Sequence, residues 1–186
     1  MFKEVTTTNP QSILFTFHMA ELFDKVSANS IYASKNIRSQ DGKSLIDNYA
    51  ITVDEEDFVK MHLYDAANNL FGLFVKMTRA ITDSFYFDKA KEDPLNAPKT
   101  SQQLGWSIKR ELKSDNTPAY NTNRLPLISA NCQDYMVNYV LAKWAEVNKQ
   151  GDEIAIREKA KGDAERKLID NLFEIRKPAY NKSYSA

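Results

Sequence analysis

The sequence has few of the residues from which catalytic and metal sites are built. Its 186 residues include one cysteine, two histidines and five glycines. The single cysteine, Cys132, excludes an internal disulfide and is typical of proteins in a reducing compartment. Five glycines are too few for a glycine-rich phosphate loop, and no Ser/His/Asp or Cys/His set is visible. We therefore expect neither an enzyme nor a cofactor.

Net charge and long apolar runs are also lacking. Lys and Arg together number 25, and so do Asp and Glu, so no basic excess predicts binding to nucleic acid or to a membrane surface. No segment approaches the roughly 20 apolar residues that span a bilayer. The N-terminal MFKEVTTTNPQ does not have the layout of a signal peptide. The sequence predicts a soluble chain that is made in a cytoplasm and has no membrane partner.

Helical periodicity is the main pattern that the sequence does contain. Hydrophobic residues make up 42% of the chain, which is enough for one ordinary core. Apolar residues that recur at steps of three and four predict four helices. These helices span about 10–33, 53–82, 127–147 and 152–176.

Two of the predicted helices carry N-terminal capping patterns. Asn9 and Pro10 suit the cap and the first position of a helix. Thr52 and Glu55 have the spacing of a capping box. The acids from Asp54 to Asp57 complement the positive end of the helix dipole. Capping therefore explains these acids better than catalysis or cation binding.

The middle of the chain has the period of a strand. Apolar residues alternate there with polar ones, as expected of a half-buried strand: Leu104, Trp106, Ile108 and Leu112. The segment SFYFDK is the expected pairing partner. The sequence thus predicts a mainly α fold, a bundle of about four long helices with a small β-hairpin that projects as an arm at about 84–113. Residues 1–178 would form this single domain, and 179–186 a flexible C-terminal tail.

The cysteine and the histidines are the first candidates for a site. Cys132 lies on an apolar stripe without a histidine near it in sequence, which favours a buried small hydrophobe over a nucleophile. His18 with Glu21 and His62 with Asp65 have i,i+3 spacing, and the two pairs would form a metal site if they faced one another. Their order is the reverse of the di-iron bundle pattern. Ordinary surface or boundary pairs are the favoured interpretation, and no metal is predicted.

A basic and aromatic segment around Trp106 is the other candidate. Its bases would suit a nucleic-acid surface: Lys99, Lys109, Arg110 and Lys113. Two acids, Glu111 and Asp115, dilute this charge, and the alternation of the strand explains the pattern equally well. A solvated strand face is favoured, and the sequence predicts no catalytic residue.

The order of the elements resembles that of one family. An acidic segment leads into a long helix (DNYAITVDEEDFVKMHLYDAANNLF), an aromatic and aliphatic helix follows (YMVNYVLAKWAEV), and the last helix ends in Arg-Lys-Pro (AERKLIDNLFEIRKP). In this order, and with a strand-bearing insertion, the chain is similar to the head-to-tail connector (adaptor or neck-ring) proteins of tailed bacteriophages, particularly phages of Bacteroides-like bacteria. The similarity extends from about Asn9 to Pro178 and consists of hydrophobic and aromatic patterns.

The resemblance implies a structural virion protein. Such proteins form a closed ring, usually of twelve copies, between the portal and the tail, where the ring extends the DNA channel. The partners would be other copies of the chain, the portal protein, the next neck or tail protein, and genomic DNA that passes without sequence-specific contacts. The protein would be made in the host cytoplasm and reside in the virion neck. The predicted 53–82 helix, about 45 Å long, would offer surface to neighbouring subunits.

Partner contacts are expected on the arm and on the tail. The residues concerned are Trp106 and, in the segment RKPAYNKSYSA, Arg176, Lys177, Tyr180 and Tyr184. Bases and tyrosines suit docking in a groove, here on the portal. The alternative function is an intracellular helical bundle that serves as a scaffold or as a regulatory interaction module. A third class, a ferritin-like metal enzyme, depends on the two histidines.

Overall fold

Four helices and a four-stranded antiparallel sheet make up the part of the chain that the structure, a computed structural model, describes: residues 2–5, 12–35, 49–78, 81–88, 102–109 and 124–175. In chain order the elements are β1 (Phe2–Val5), β2 (Ser12–His18), α1 (Met19–Ser34), a 3-10 helix (Val53–Glu55), α2 (Glu56–Thr78), β3 (Ile81–Asp88), β4 (Gln102–Lys109), α3 (Leu125–Val147) and α4 (Gly151–Ile175). The predicted fold class, mainly α with four helices and a small β-hairpin, is confirmed.

Helix α3 is the centre of the bundle. It begins with Pro126 in its first turn, where the missing N–H of proline leaves no helical hydrogen bond unmade. It contributes more residues to the core than any other described helix: Leu125, Ile128, Ser129, Cys132, Tyr135, Met136, Val137, Val140, Leu141, Ala142 and Ala145. Burying each large aliphatic side chain contributes about 1.5–3 kcal/mol. The apolar stripe of α3 is therefore the seam of the bundle, as its spacing predicts.

Helix α2 runs antiparallel to α3. The Phe58 ring lies 5.3 Å from the Trp144 ring, centroid to centroid, and His62, one turn further along α2, lies 6.4 Å from Tyr139, one turn earlier in α3. The first turns of α2 thus lie beside the last turns of α3. This arrangement decides which helix ends meet at the surface described below.

Helix α4 packs along α3 mainly through its second half. Its buried residues are Ala164, Leu168 and Leu172. The first half is held by polar contacts instead, since Arg157 pairs with Glu153 and its Nη1 lies 3.4 Å from Asn138 Oδ1 of α3. No helix that the structure describes is long and apolar enough to cross a membrane.

The sheet forms a layer against the helices. Its strand order is β1-β2-β4-β3, with every neighbour antiparallel. The register places Phe17 of β2 opposite Leu104 of β4. Both side chains are fully buried, together with Phe15, whose ring meets Phe74 of α2 edge-on at 5.2 Å. The sheet and the helices therefore share one hydrophobic core.

The predicted hairpin exists, but its strands do not stand apart from the body. β3 and β4 pair over their whole length, from Ile81 opposite Lys109 to Asp88 opposite Gln102. The expectation of a projecting arm at about 84–113 is wrong for these strands, because β4 also pairs with β2 and buries Leu104. Residues 89–101 and 110–113 lie outside the described part of the chain.

The first helix begins at Met19, nine residues later than the spacing predicts. Ser12–His18 form β2, so Leu14 and Phe17 lie in a strand and not on a helix face. Hydrogen bonds to β1 on one side and β4 on the other decide this conformation. β4 is distant from β2 in sequence, with Ser12 opposite Lys109 and His18 opposite Gln103, so helical spacing cannot reveal this pairing. The predicted cap and Pro10 lie outside the described residues.

The second helix ends at Thr78 and not near 82, because β3 begins at Ile81. Its 23 residues make it about 35 Å long. Helical spacing from Phe58 predicts that Met61 lies on the buried face of this helix, and that prediction is wrong, since Met61 is 53% exposed. The buried residues of α2 are these: Val59, Leu63, Ala66, Ala67, Leu70 and Phe74.

Candidate interaction surface

The end of the bundle away from the sheet brings together four helix termini. Three hydrogen bonds tie residues 49–51 to the helices on either side. Trp144 Nε1 donates to the Tyr49 carbonyl (2.8 Å), Ser27 Oγ donates to the Ile51 carbonyl (2.8 Å), and the Ile51 N–H donates to Ser30 Oγ (2.8 Å). The last turns of α1 and α3 are thus joined just before α2 begins. We call residues 31–35, 49–57 and 143–157 the distal end.

The start of α2 at the distal end is held by the predicted capping box, which is confirmed. The Thr52 N–H donates to Glu55 Oε2 (2.6 Å), and the Asp54 N–H donates to Thr52 Oγ1 (3.3 Å). The Thr52 hydroxyl also donates to the Glu55 carboxylate (2.7 Å), and this bond is the main reason that the pKa of Glu55 is lowered. Glu55 is therefore bound as a carboxylate in a fixed position.

A tight turn joins α3 to α4 at the same end. The Asn148 and Gln150 N–H groups donate to the carbonyls of Trp144 (3.1 Å) and Ala145 (2.9 Å). Lys149 takes a left-handed conformation with φ of 55°, which allows the chain to reverse after the helix. The first turn of α4 consequently lies beside the last turn of α3.

Exposed apolar side chains are concentrated at the distal end. It carries five of the nine large hydrophobic residues that are exposed in the described part of the chain: Ile31, Tyr32, Val53, Val147 and Ile156. Val53 is 73% exposed, Tyr32 68%, Val147 63% and Ile156 57%. Large apolar residues grouped on a surface, unlike single ones, are typical of interaction sites.

The distal end is also acidic. It holds seven carboxylates and four bases, a formal excess of three negative charges. Two of the acids are paired, Glu146 with Lys143 and Glu153 with Arg157. Four others make no ion pair with any residue that the structure describes: Asp54, Glu56, Asp57 and Asp152. Apolar side chains surrounded by unpaired acids suit a partner segment that carries apolar groups and bases.

The histidines are placed far apart within the fold. His62 Nδ1 lies 3.3 Å from Asp65 Oδ2 and its ring stands edge-on against Phe58 at 4.4 Å. His18 lies at the end of β2 beside the sheet, whereas His62 lies in the second turn of α2, toward the distal end. The two His–acid pairs therefore do not face one another. Residues 2–5, 12–35, 49–78, 81–88, 102–109 and 124–175 contain no group of three or more potential metal ligands.

Cys132 is buried in the seam of the bundle, as predicted. Burial raises the pKa of its thiol well above the ordinary value of 9.0. Tyr135, three residues later on the same helix, has its pKa raised to about 12, first by burial and then by the charge of Glu165. Both groups are neutral at physiological pH and contribute to packing.

The sequence-predicted contact residues are only partly described. Trp106 lies in β4, opposite Phe15 of β2 and Ser84 of β3, so it belongs to a central strand. Arg176, Lys177, Tyr180 and Tyr184 lie outside the described residues, as does the predicted tail at 179–186. Of the bases around Trp106, Lys109 lies in β4, and Lys99, Arg110 and Lys113 lie outside.

The distal end is the feature that sequence reasoning missed. Val147 follows Trp144 at the spacing of the core stripe in α3, which predicts that it is buried. This prediction is wrong, since Val147 is the last residue of α3 and is 63% exposed. Val53 is the first residue of the 3-10 helix, directly before four acids, and Ile156 lies in the second turn of α4, after Asp152 and Glu153. Large aliphatic residues beside the acids of a helix start were the available signal, since capping accounts for the acids but not for these residues.

Comparison with known proteins does not assign the chain to a family. No protein-family model, no curated protein and no solved structure matches it.

Proposed function

We propose that the chain is a structural virion protein that forms a ring between the portal and the tail of a tailed bacteriophage. The ring extends the DNA channel and provides a platform for further tail components. The partners in this proposal are other copies of the chain, the portal protein and the next neck or tail protein. Genomic DNA passes through the lumen without sequence-specific contacts. The protein is made in the host cytoplasm and acts in the virion neck, by assembly and not by catalysis.

The observation that carries the proposal is the exposed apolar surface of the distal end. Val53, Val147 and Ile156 are more than half exposed, and they lie on helix ends that hydrogen bonds hold in place. A preformed surface of this kind is suited to a permanent contact, because little conformational entropy is lost when a partner covers it. The order of helices and strands that resembles connector proteins supports the same role.

The two ends of the molecule also differ, as a ring requires. The distal end carries acids and exposed aliphatic residues, whereas the opposite end carries the sheet. A cyclic ring with more than two subunits is built from contacts between unlike faces, and it closes when each contact turns the next copy by the same angle. A chain with two unlike ends can provide such contacts.

Quantitative mass spectrometry tests the virion role directly. The sample is a preparation of particles purified from cells that produce the chain, and the portal protein is the reference. We expect a copy number equal to that of the portal protein or a small whole-number multiple of it. Absence of the chain from the particles would overturn the proposal and favour the alternative, an intracellular helical scaffold or regulatory interaction module.

A further inference from the structure

We propose that the distal end of one copy binds the segment Arg176–Tyr184 of a neighbouring copy. The inference deepens the proposed function and rests on its self-association, but it does not require the portal. It assigns an occupant to the exposed apolar surface, and it makes the contact head-to-tail because the surface and the segment are different parts of the chain.

Charge complementarity is the first argument. The distal end has a formal excess of three negative charges, and four of its carboxylates make no ion pair within the described ranges. The eleven residues that follow α4, RKPAYNKSYSA, contain three bases and no acid. Opposite charges of this kind accelerate association and set the register of a contact.

Apolar complementarity is the second argument. Tyr180 and Tyr184 lie among these bases in the sequence. Tyrosine rings are well suited to cover aliphatic side chains such as Val53, Val147 and Ile156, because they bury a large area with few rotatable bonds. The segment thus carries both the bases that complement the acids of the distal end and the aromatic rings that can cover its aliphatic side chains.

The length of α4 favours a contact between copies. α4 begins at the distal end, and its 25 residues carry the chain about 37 Å away before Ile175. Lys182 follows Ile175 by seven residues, a distance of at most about 25 Å even when fully extended. The near edge of the distal end, Arg157, lies about 27 Å from Ile175 along α4. A chain could therefore reach its own distal end only with the segment fully extended back along the helix, and a neighbouring copy can supply the acids without this loss of conformational freedom.

The segment 36–48 is the competing occupant. It leaves α1 at Lys35 and returns at Tyr49, so the chain itself brings both of its ends to the distal end. Its two bases and two acids, however, give it no net charge. It does not complement the acidic excess, and the basic segment after α4 does.

A charge exchange in the full-length chain tests the contact. One variant carries Asp57→Lys and Asp152→Lys, on exposed acids of α2 and α4 at the distal end. A second carries Lys177→Glu and Lys182→Glu. The matched control carries Asp65→Lys and Asp170→Lys, which make the same charge change on the same two helices away from the distal end. Self-association is measured by sedimentation velocity over a concentration series, and circular dichroism verifies folding.

We expect the distal-end variant and the segment variant each to associate at least about tenfold more weakly than the wild type, and the control to differ by less than about twofold. A chain with all four distal-end and segment changes regains association, because the charges are opposite again. Equal association of the distal-end variant and the control would overturn the inference. A quadruple variant that associates as weakly as the two double variants would also overturn it. A wild-type chain that remains monomeric throughout would also overturn it.

The same variants separate this inference from the proposed function. Each double variant is also produced on its own in place of the wild type. If both enter particles at the normal ratio to the portal protein, the contact is overturned and the virion role is left intact. Restored association by charge exchange, together with absence of the chain from particles, would overturn the virion role and leave the contact intact.

Discussion

Ser30 and Ser34 are buried residues on the same face of α1, one turn apart. Their hydroxyl groups differ in how much their hydrogen bonds stabilise the fold. Ser30 Oγ accepts a hydrogen bond from the Ile51 N–H, an amide that lies outside any helix. Ser34 Oγ donates to the Ser30 carbonyl within its own helix, where that carbonyl is already a helical acceptor. Only Ser30 therefore satisfies a backbone group that has no alternative partner.

We expect Ser30→Ala to lower the free energy of unfolding by about 1–3 kcal/mol, since it leaves the buried Ile51 N–H unpaired. Ser34→Ala, the matched control, is expected to cost less than about 1 kcal/mol. Urea unfolding followed by circular dichroism measures both. Equal losses in the two variants would show that the segment 49–51 does not depend on Ser30.

Buried titrating groups in α3 give a second prediction at the residue scale. The pKa of Tyr135 is raised to about 12 from 10.0, and burial raises that of Cys132 above 9.0. Each group favours the folded state below its ordinary pKa, and this contribution is lost as the pH rises above that value. We expect stability to fall between about pH 9 and pH 11 less steeply in Tyr135→Phe and in Cys132→Ala than in the wild type. Urea midpoints over this range test the prediction, and parallel slopes would contradict it.

At the scale of the element, the start of α2 shows how a cap can depend on charge. The pKa of Glu55 is lowered chiefly by the hydrogen bond from the Thr52 side chain. A lowered pKa means that the bond stabilises the fold above the ordinary value of 4.5 and is lost as the pH falls through the folded pKa. The cap is thus strong at neutral pH and weak in acid.

Thr52→Ala is expected to lower the free energy of unfolding by about 1 kcal/mol at neutral pH and by less near pH 3. Thr52→Ser is the control, because it keeps a hydroxyl at the cap. Thermal unfolding at the two pH values measures the differences. If the cost of Thr52→Ala is the same at both, the carboxylate form of Glu55 does not contribute to the cap.

At the scale of the whole molecule, one hydrophobic core contains residues of β2, β4 and all four helices. The two tryptophans report on its two layers, because Trp106 lies in β4 and Trp144 in α3. A shared core of this size is expected to unfold in a single cooperative transition. A sheet that stood apart as an arm would unfold earlier than the helices.

Two single-tryptophan variants distinguish these cases. We expect the fluorescence midpoint of Trp144→Phe, which reports on β4, to coincide with its own midpoint from far-UV circular dichroism. The same coincidence is expected for Trp106→Phe, which reports on α3. The comparison is made within each variant, since Trp144→Phe also loses the hydrogen bond to Tyr49. Earlier unfolding of the β4 reporter would restore the interpretation of a separate arm.

The sequence alone determined those features that depend on neighbours along the chain. The four helices, the capping box at Thr52 and Glu55, the proline in the first turn of α3 and the burial of Cys132 all follow from spacings of a few residues, over which helical contacts act. The strand at Gln102–Lys109 follows in the same way from its alternation. Side chains at such spacings meet in any fold that contains the element.

Tertiary structure alone decided what depends on distant partners. The conformation of Ser12–His18 was set by hydrogen bonds to β1 and β4, and the buried face of α2 by the elements packed on it, which left Met61 outside. The distal end exists because hydrogen bonds across 24 and 95 residues of sequence join α1 and α3 to the start of α2. The spacing of apolar and polar residues along the chain cannot predict such contacts. The spacing around a residue is the same whether or not a distant residue forms a hydrogen bond with it.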